Sequence, residues 1–303
     1  SKNEKNFRSV MYKKQIDGFD TFKRSDKGDF LIEKIIDSFS SETTVVALIA
    51  RLKSKRLKNK VLLNFSKKEL IVDLYDRISE NSSFKVVLAT SFLKEDDPLA
   101  NLFEKNSYPV YRGDGISIID RMLRLAFIEK ASSIFRVTGD NPFTDPYLMN
   151  EMSKMLNKYS LDYVRVNNAP FGVSAELFST KYLWKLYLKL ESTEYSEYLS
   201  WYVLNDKDVK MGSIDIVTER KTNINLSVDY EKDYQDCKKL LMKIDKDFSK
   251  ITLNDILNNI SVLKEINLES EIKLPFGKTV SIHKYIELFK NKKSVERKSI
   301  ILR

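Results

Sequence analysis

From residue 43 onward, short apolar runs alternate with stretches of helical periodicity. Thr44-Val-Val-Ala-Leu-Ile-Ala50 is continuously apolar, the pattern of a strand buried on both faces. A basic loop follows, then a helical pattern from about Glu69 to Glu80. Phe84-Lys-Val-Val-Leu-Ala-Thr90 predicts a second buried strand, and Asp97-Pro98 opens a helix with proline in its first turn. A strand over Tyr108 to Tyr111, a helix over Ile116 to Lys130 and a strand over Ser133 to Thr138 come next. Asp145-Pro146 opens another helix, with Asp145 as its cap, and Leu161 to Val166 is strand again. Strands and helices in this order predict an α/β domain with a mainly parallel sheet. Ligands of such sheets bind beyond the carboxyl ends of the strands, so the residues just after each strand carry the chemistry.

Beyond Gly172 the rhythm changes. Thr180 to Leu190 and Glu194 to Asn205 read as helices, Val209 to Val217 and Ile224 to Val228 as strands, and Glu231 to Ile244 as a helix. From about Thr252 the pattern is one of short helices and a tail. The first 42 residues are polar and basic, apart from an amphipathic stretch in which Leu31, Ile32, Ile35, Ile36 and Phe39 fall at helical spacing, with Asp26 or Asp29 as its cap. The expected division is an extension over 1–42, a main domain over 43–267 and a C-terminal tail over 268–303. No repeat or low-complexity linker interrupts it.

Composition narrows the chemistry. One cysteine, Cys237, and one histidine, His283, rule out an internal disulfide, a Cys-based zinc site and catalysis by several histidines. A metal would need oxygen ligands, which favours magnesium or calcium. No apolar run reaches membrane-spanning length and no signal peptide is visible, so a cytoplasmic location is expected. The net charge of +9 is scattered, and the aromatic residues fall in apolar periodic runs rather than among the basic ones. Nucleic acid is therefore not the expected partner. Trp184 and Trp201 read as packing residues, and His283 as a surface or interface residue rather than a catalytic one.

Three loops carry candidate chemistry. Ala50-Arg-Leu-Lys-Ser-Lys-Arg-Leu-Lys-Asn-Lys60 follows the first strand, and its Arg51, Lys53, Lys55, Arg56 and Lys60 suit a polyphosphate. It lacks the Gly-rich spacing and Gly-Lys-Ser/Thr of a P-loop. Thr138-Gly-Asp-Asn-Pro-Phe-Thr-Asp-Pro146 follows a strand, with Gly139 allowing close backbone approach and Asp140 placed to ligate magnesium. Asn225-Leu-Ser-Val-Asp229 supplies a second carboxylate, which taken alone reads as a helix cap ahead of a metal ligand.

These pieces resemble the cytidylyltransferases that include SpsF-like proteins and the acylneuraminate and 3-deoxy-manno-octulosonate enzymes. The resemblance covers about Thr43 to Asn267. It rests on Ala50-Arg51, Ser54, Arg56-Leu57 and Lys60-Val61-Leu62, on Ala89-Thr90-Ser91 with Asp96-Asp97-Pro98, on Tyr111-Arg112-Gly113 with Asp120-Arg121, on Arg136 to Pro142 with Asp145-Pro146, on Gly172 with Glu176 to Ser179, and on Val228-Asp229 with Asp233-Tyr234. There are departures. The family's proline before Ala-Arg is Ile49 here, its glycines near Lys53 and at Lys58-Asn59 are missing, and Ser66-Lys-Lys-Glu-Leu70 replaces a Gly-Gly-Lys-Pro-Leu turn. Ser196-Glu-Tyr-Leu-Ser200 stands where SpsF-like proteins tend to carry Arg-Glu-His-Val-Thr.

The resemblance implies a Rossmann-like nucleotidyltransferase fold, akin to that of GT-A glycosyltransferases, with an inserted dimerisation and sugar-binding segment. It implies catalytic roles for Arg51, Arg56, Lys60 and Asp140, and nucleotide contacts from Ala50, Arg51, Lys55, Arg56, Lys60, Arg112, Gly113, Thr138 and Gly139. Asp140 and Asp229 are the implied Mg2+ ligands, and Asn167, Glu176 and Glu197 the expected sugar-side residues. The implied reaction joins CTP to a sugar of ulosonic or nonulosonic acid type with release of pyrophosphate. A sugar-nucleotide-dependent glycosyltransferase and a catalytically dead binding module are the competing readings. A homodimer is implied, with Leu183, Trp184, Tyr187, Leu188, Tyr198, Trp201 and Tyr202 as its expected contact centre.

Overall fold

The apolar run after residue 43 lies at the heart of the molecule in a computed structural model that describes residues 26–190, 197–263 and 265–302. Strand β1 (Ser40–Ile49) is flanked on both sides by parallel neighbours, β2 (Lys85–Ser91) and β4 (Ala131–Thr138). Val45, Val46, Ala47 and Leu48 are all buried, because helices cover both faces of the sheet. Strands β3 (Val110–Gly113), β5 (Tyr163–Asn167), β6 (Glu176–Ser179), β7 (Met211–Val217) and β10 (Glu296–Ile301) complete eight strands in the order β10-β7-β5-β6-β4-β1-β2-β3. Every pairing is parallel except those of β6, which runs antiparallel to β4 and β5. The connection over residues 168–175 contains no helix and is too short for a parallel crossover, so the chain returns in the opposite sense.

One face is covered by α2 (Leu70–Asn81), α3 (Asp97–Lys105), α5 (Pro146–Tyr159) and α8 (Glu231–Ile244), whose apolar stripes pack with Val46, Leu48, Phe135 and Val137. The other is covered by α1 (Asp26–Asp37), α4 (Ile118–Ile128), α6 (Thr180–Lys189), α7 (Leu199–Asn205) and α10 (Ile282–Asn291), which pack on Val45, Ala47, Ile49 and Ile134. A short helix, α9 (Leu253–Asn258), and a hairpin of β8 (Glu271–Lys273) and β9 (Thr279–Ser281) complete the described α-helices and strands. None of the described helices is long and apolar enough to cross a membrane.

The structure corrects several expectations. Residues 268–303 are not a tail: β10 joins the main sheet against β7, and Phe289 of α10 is buried in the second core. The charged sequence Glu296-Arg-Lys-Ser hid this strand, since an edge strand tolerates polar residues. The boundary at residue 42 is also displaced, because α1 buries Ile32 and Ile36 in the domain core and β1 begins at Ser40. The side chains of Asp26 and Asp29, both considered as caps, lie outside the described residues, as does the start of the helix expected from Glu194. Ile224 to Val228 alternates in burial as a strand would, yet makes only the isolated bridges Phe171 to Asn225 and Ile224 to Glu265. Leu183, Trp184 and Tyr187 are buried inside the monomer's own core and are not available as a dimer centre.

Candidate active site

Three connections meet at the carboxyl edge of β1 and β4. The first, residues 50–59, leaves β1 and is pinned where the Leu52 amide donates to Asp96 Oδ1 at 2.7 Å. Asn59 adopts a left-handed conformation, with φ 52° and ψ 30°. Asparagine tolerates that region, so it performs the turn that the family's glycine would make there. The turn delivers Lys60 into the cleft at the start of a short 3-10 helix, Lys60–Leu62.

The second connection is the Gly139-Asp140 turn after β4. The Gly139 amide donates to the Ile49 carbonyl at 2.8 Å, tying the turn to the end of β1. A Cβ at position 139 would lie 2.7 Å from Ile71 Cδ1 and 2.9 Å from Ala50 Cβ, so this approach needs glycine. Asp145 caps α5, accepting from the amides of Tyr147 and Leu148.

The third is the extended segment that ends at Asp229. Gly172, at φ 87°, lets the chain pass directly against the backbone of Leu226 and Ser227. The Leu226 amide donates to Phe171 O and the Val228 amide to Asp140 O, each at 2.8 Å. That second bond brings Asp229 beside Asp140. Asp233 caps α8 by accepting from the amides of Asp229 and Tyr230, which leaves the Asp229 carboxylate for the cleft.

Lys60 stands between the two carboxylates. Its Nζ donates to Asp140 Oδ2 at 2.6 Å and to Asp229 Oδ1 at 2.9 Å, and its side chain is only 11% exposed. Arg56 Nη2 also reaches Asp229 Oδ1, at 2.6 Å, and its guanidinium lies over the Tyr230 ring. Burial works to lower the Arg56 pKa, but Tyr230 and the charges of Asp229 and Asp140 outweigh it and raise the group above its ordinary value. A cleft of about 520 Å³ opens here, lined by Ala50, Arg51, Lys53, Lys55, Arg56, Lys60, Thr138, Gly139, Asp140 and Glu197, among others. Five basic side chains of the first loop thus share one space with Asp140.

Other expected site residues are placed differently. Arg112 lies outside the residues that line the cleft: it donates to Ser91 O, Leu93 O and Asp97, holding the connection between β2 and α3. A Cβ on Gly113 would lie 2.8 Å from Arg121 Cγ, so that glycine makes room for a buried arginine. Asn167 donates to Asp215 at 2.8 Å, away from the cleft lining. Glu176 accepts from Arg136 Nη1 at 2.5 Å and from the Tyr163 hydroxyl at 3.0 Å. Burial, and then the Glu176 charge, raise the Tyr163 pKa well above its ordinary value. Glu197 pairs with Arg51 Nη2 at 3.6 Å, and Arg51 also donates to the Gly115 carbonyl.

Two cleft residues had no role from the sequence. Arg136 lies inside the recognised Arg136 to Pro142 stretch, yet β-strand alternation alone does not show that it borders the cleft. Arg121 is fully buried, donates Nη1 to Ala89 O at 2.9 Å, and finds no partner for Nε or Nη2 among the described residues. Burial, reinforced by the charge of Arg51, lowers its pKa to about 10.

A parallel sheet whose carboxyl edge carries a basic loop, a Gly-Asp turn and a second aspartate belongs to the nucleotidyltransferase class of α/β domains. Residues 45–271 match the family described as cytidylyltransferase, and the chain belongs to that family. Spore coat polysaccharide biosynthesis protein SpsF of Bacillus subtilis is 29% identical over 202 residues, 64% of this chain and 84% of that protein. An uncharacterized protein of Methanocaldococcus jannaschii is 28% identical over 226 residues, 72% of this chain and 91% of its own. A cytidylyltransferase structure from Leptospira borgpetersenii superposes with a TM-score of 0.67 at 23% identity, covering 75% of this chain and 99% of that one. The structure of a CMP:2-keto-3-deoxy-manno-octonic acid synthetase complexed with CTP gives 0.54 at 16% identity, with 66% and 99% coverage. At these identities the two structures speak for the fold.

Proposed function

We propose that the protein transfers a cytidylyl group from CTP to a sugar of ulosonic or nonulosonic acid type, releasing pyrophosphate, in the synthesis of a surface polysaccharide or glycan. The observation that carries this reading is the hydrogen-bonded group of Asp140, Asp229, Lys60 and Arg56 at the cleft that Arg51 also lines. The cleft and its edge are cationic on balance, with Arg51, Lys53, Lys55, Arg56, Lys60, Arg121 and Arg136 against Asp140, Asp229 and Glu197. Such a balance suits a triphosphate together with an acidic acceptor. The polysaccharide role in the name of the Bacillus relative and the CTP complex of the structural neighbour agree with it.

The sugar hydroxyl attacks the α-phosphorus in line and gives up its proton to solvent, forming the new O–P bond as the bond to the β-phosphate oxygen breaks and pyrophosphate leaves. Arg51, Arg56 and Lys60 orient the phosphates and neutralise the charge that builds on the leaving pyrophosphate. Asp140 and Asp229 are close enough to share one ammonium group, and two carboxylates make a donor set suited to Mg2+. An ion held by these two carboxylates would supply charge neutralisation at the reacting phosphate. Among the described residues no group of three or more His, Cys, Asp or Glu is placed to hold a metal ion, so Asp140 and Asp229 are the side-chain donors this chain would offer. A cytoplasmic location, where nucleoside triphosphates are available, belongs to the same reading.

The test is pyrophosphate release with CTP, UTP, GTP and ATP, each against a panel of neutral and acidic sugars. Release that depends on CTP and an acidic sugar is expected. Release with no triphosphate at all, or sugar transfer from a nucleotide-sugar, would overturn the proposal. A homodimer rests on the family resemblance, and light scattering at micromolar concentration tests it.

A further inference from the structure

The Lys60 ammonium lies between Asp140 and Asp229, the carboxylates that would hold the proposed metal, and Arg56 shares Asp229 Oδ1 with it. Two positive side chains face two carboxylates, so the cleft by itself offers a bare divalent ion no net negative charge at this point. The two contributions are unequal. Arg56 is 54% exposed and its pairing is screened by water, whereas Lys60 is 11% exposed and its pairing is not. Displacing Lys60 alone leaves a buried ammonium without a counter-charge, which is costly. A triphosphate changes the balance, because it brings its own anionic oxygens and gives Lys60 and Arg56 a new acceptor as they leave the carboxylates.

We infer that Lys60 gates the carboxylate pair, so that the site admits a divalent cation only as its complex with a nucleoside triphosphate. In this exchange Lys60 moves from Asp140 and Asp229 to the phosphates as the metal takes its place. Asp140 and Asp229 contribute only two side chains to a six-coordinate ion, which is consistent with the triphosphate arriving as a ligand rather than as a later substrate. This inference rests on the nucleotidyltransferase reading of the same cleft.

The experiment is a titration of the full chain with Mn2+, following the free ion by electron paramagnetic resonance, with and without an α,β-methylene analogue of CTP. The wild-type protein should leave Mn2+ free in the absence of the analogue and sequester it in its presence. Lys60→Gln should bind Mn2+ alone at least tenfold more tightly than wild type, and Lys60→Gln with Asp140→Asn should lose that gain, locating the new site. Lys60→Arg keeps the charge and should still exclude the bare ion, which separates gating from general loosening of the fold. Binding of bare Mn2+ to wild type as tightly as to Lys60→Gln would overturn the gate while leaving the nucleotide reading intact. Failure of wild type to bind the analogue at any Mn2+ concentration would overturn the nucleotide reading and the gate with it.

Discussion

Replacing Glu176 by glutamine separates two roles for this residue. The resemblance puts it at the sugar pocket, while the structure engages both of its oxygens, one with Arg136 at 2.5 Å and one with Tyr163 at 3.0 Å. Glutamine keeps the shape and can still accept from Tyr163, but it removes the counter-charge of Arg136. That guanidinium would retain only a 3.3 Å contact to the Glu197 carbonyl, and its Nε has no partner among the described residues. Breaking a buried pair from one side costs about 3–5 kcal/mol. Because the side chains are 15% and 19% exposed at the edge of a wet cleft, the lower end, about 3 kcal/mol, applies. Unfolding entropy scales with length at about 2.1 cal/mol/K per residue, so for 303 residues the melting temperature should fall by about 5 °C. Glu176→Leu with Arg136→Met should recover most of that loss, since an apolar pair leaves no orphaned charge. Thermal melts by circular dichroism measure all three proteins. An unchanged melting temperature in Glu176→Gln, accompanied by a higher KM for the sugar, would refute the pairing argument and return Glu176 to the substrate.

Asp140→Asn should reduce pyrophosphate release by about a thousandfold or more, since the lost metal interaction is worth several kcal/mol. Circular dichroism of that variant should show an intact fold, because the charge leaves a partly exposed edge where Lys60 keeps Asp229. Arg56→Ala should weaken CTP binding about tenfold more than CMP binding, the low end of about 1.5–3 kcal/mol for a charge-assisted contact, as Arg56 is half exposed. Equal weakening of both nucleotides, measured by calorimetry, would remove Arg56 from the β- and γ-phosphates. Cys237 is fully buried, and burial pushes its thiol pKa well up, so Ellman's reagent should label it only after denaturation. Rapid labelling of the folded protein at mildly alkaline pH would contradict that burial.

The alternation of apolar runs and helical periods was enough to specify the parallel core. Thr44 to Ala50 reads as doubly buried because helices lie on both faces, and Glu231 to Ile244 reads as a helix over its whole observed length. The basic loop, the Gly139-Asp140 turn and Asp229 were legible as separate pieces, since each residue type suits its local chemistry. Their meeting was not legible. Lys60 touches Asp229 across 169 positions of sequence, and that contact depends on one backbone bond from Val228 to Asp140 and on the close passage at Gly172. Edge strand β10 was hidden for a related reason: its polar residues make sense only beside β7, where one face of the strand remains in water. Arg112 shows the reverse case. Its place in a motif suggested a ligand, and the fold turned it onto Asp97 and two carbonyls of the neighbouring loop. Local pattern governs which segments become strands and helices, because burial periodicity is a short-range property of the chain. Which side chains face one another across the cleft is set by long-range packing, and no window of sequence contains it.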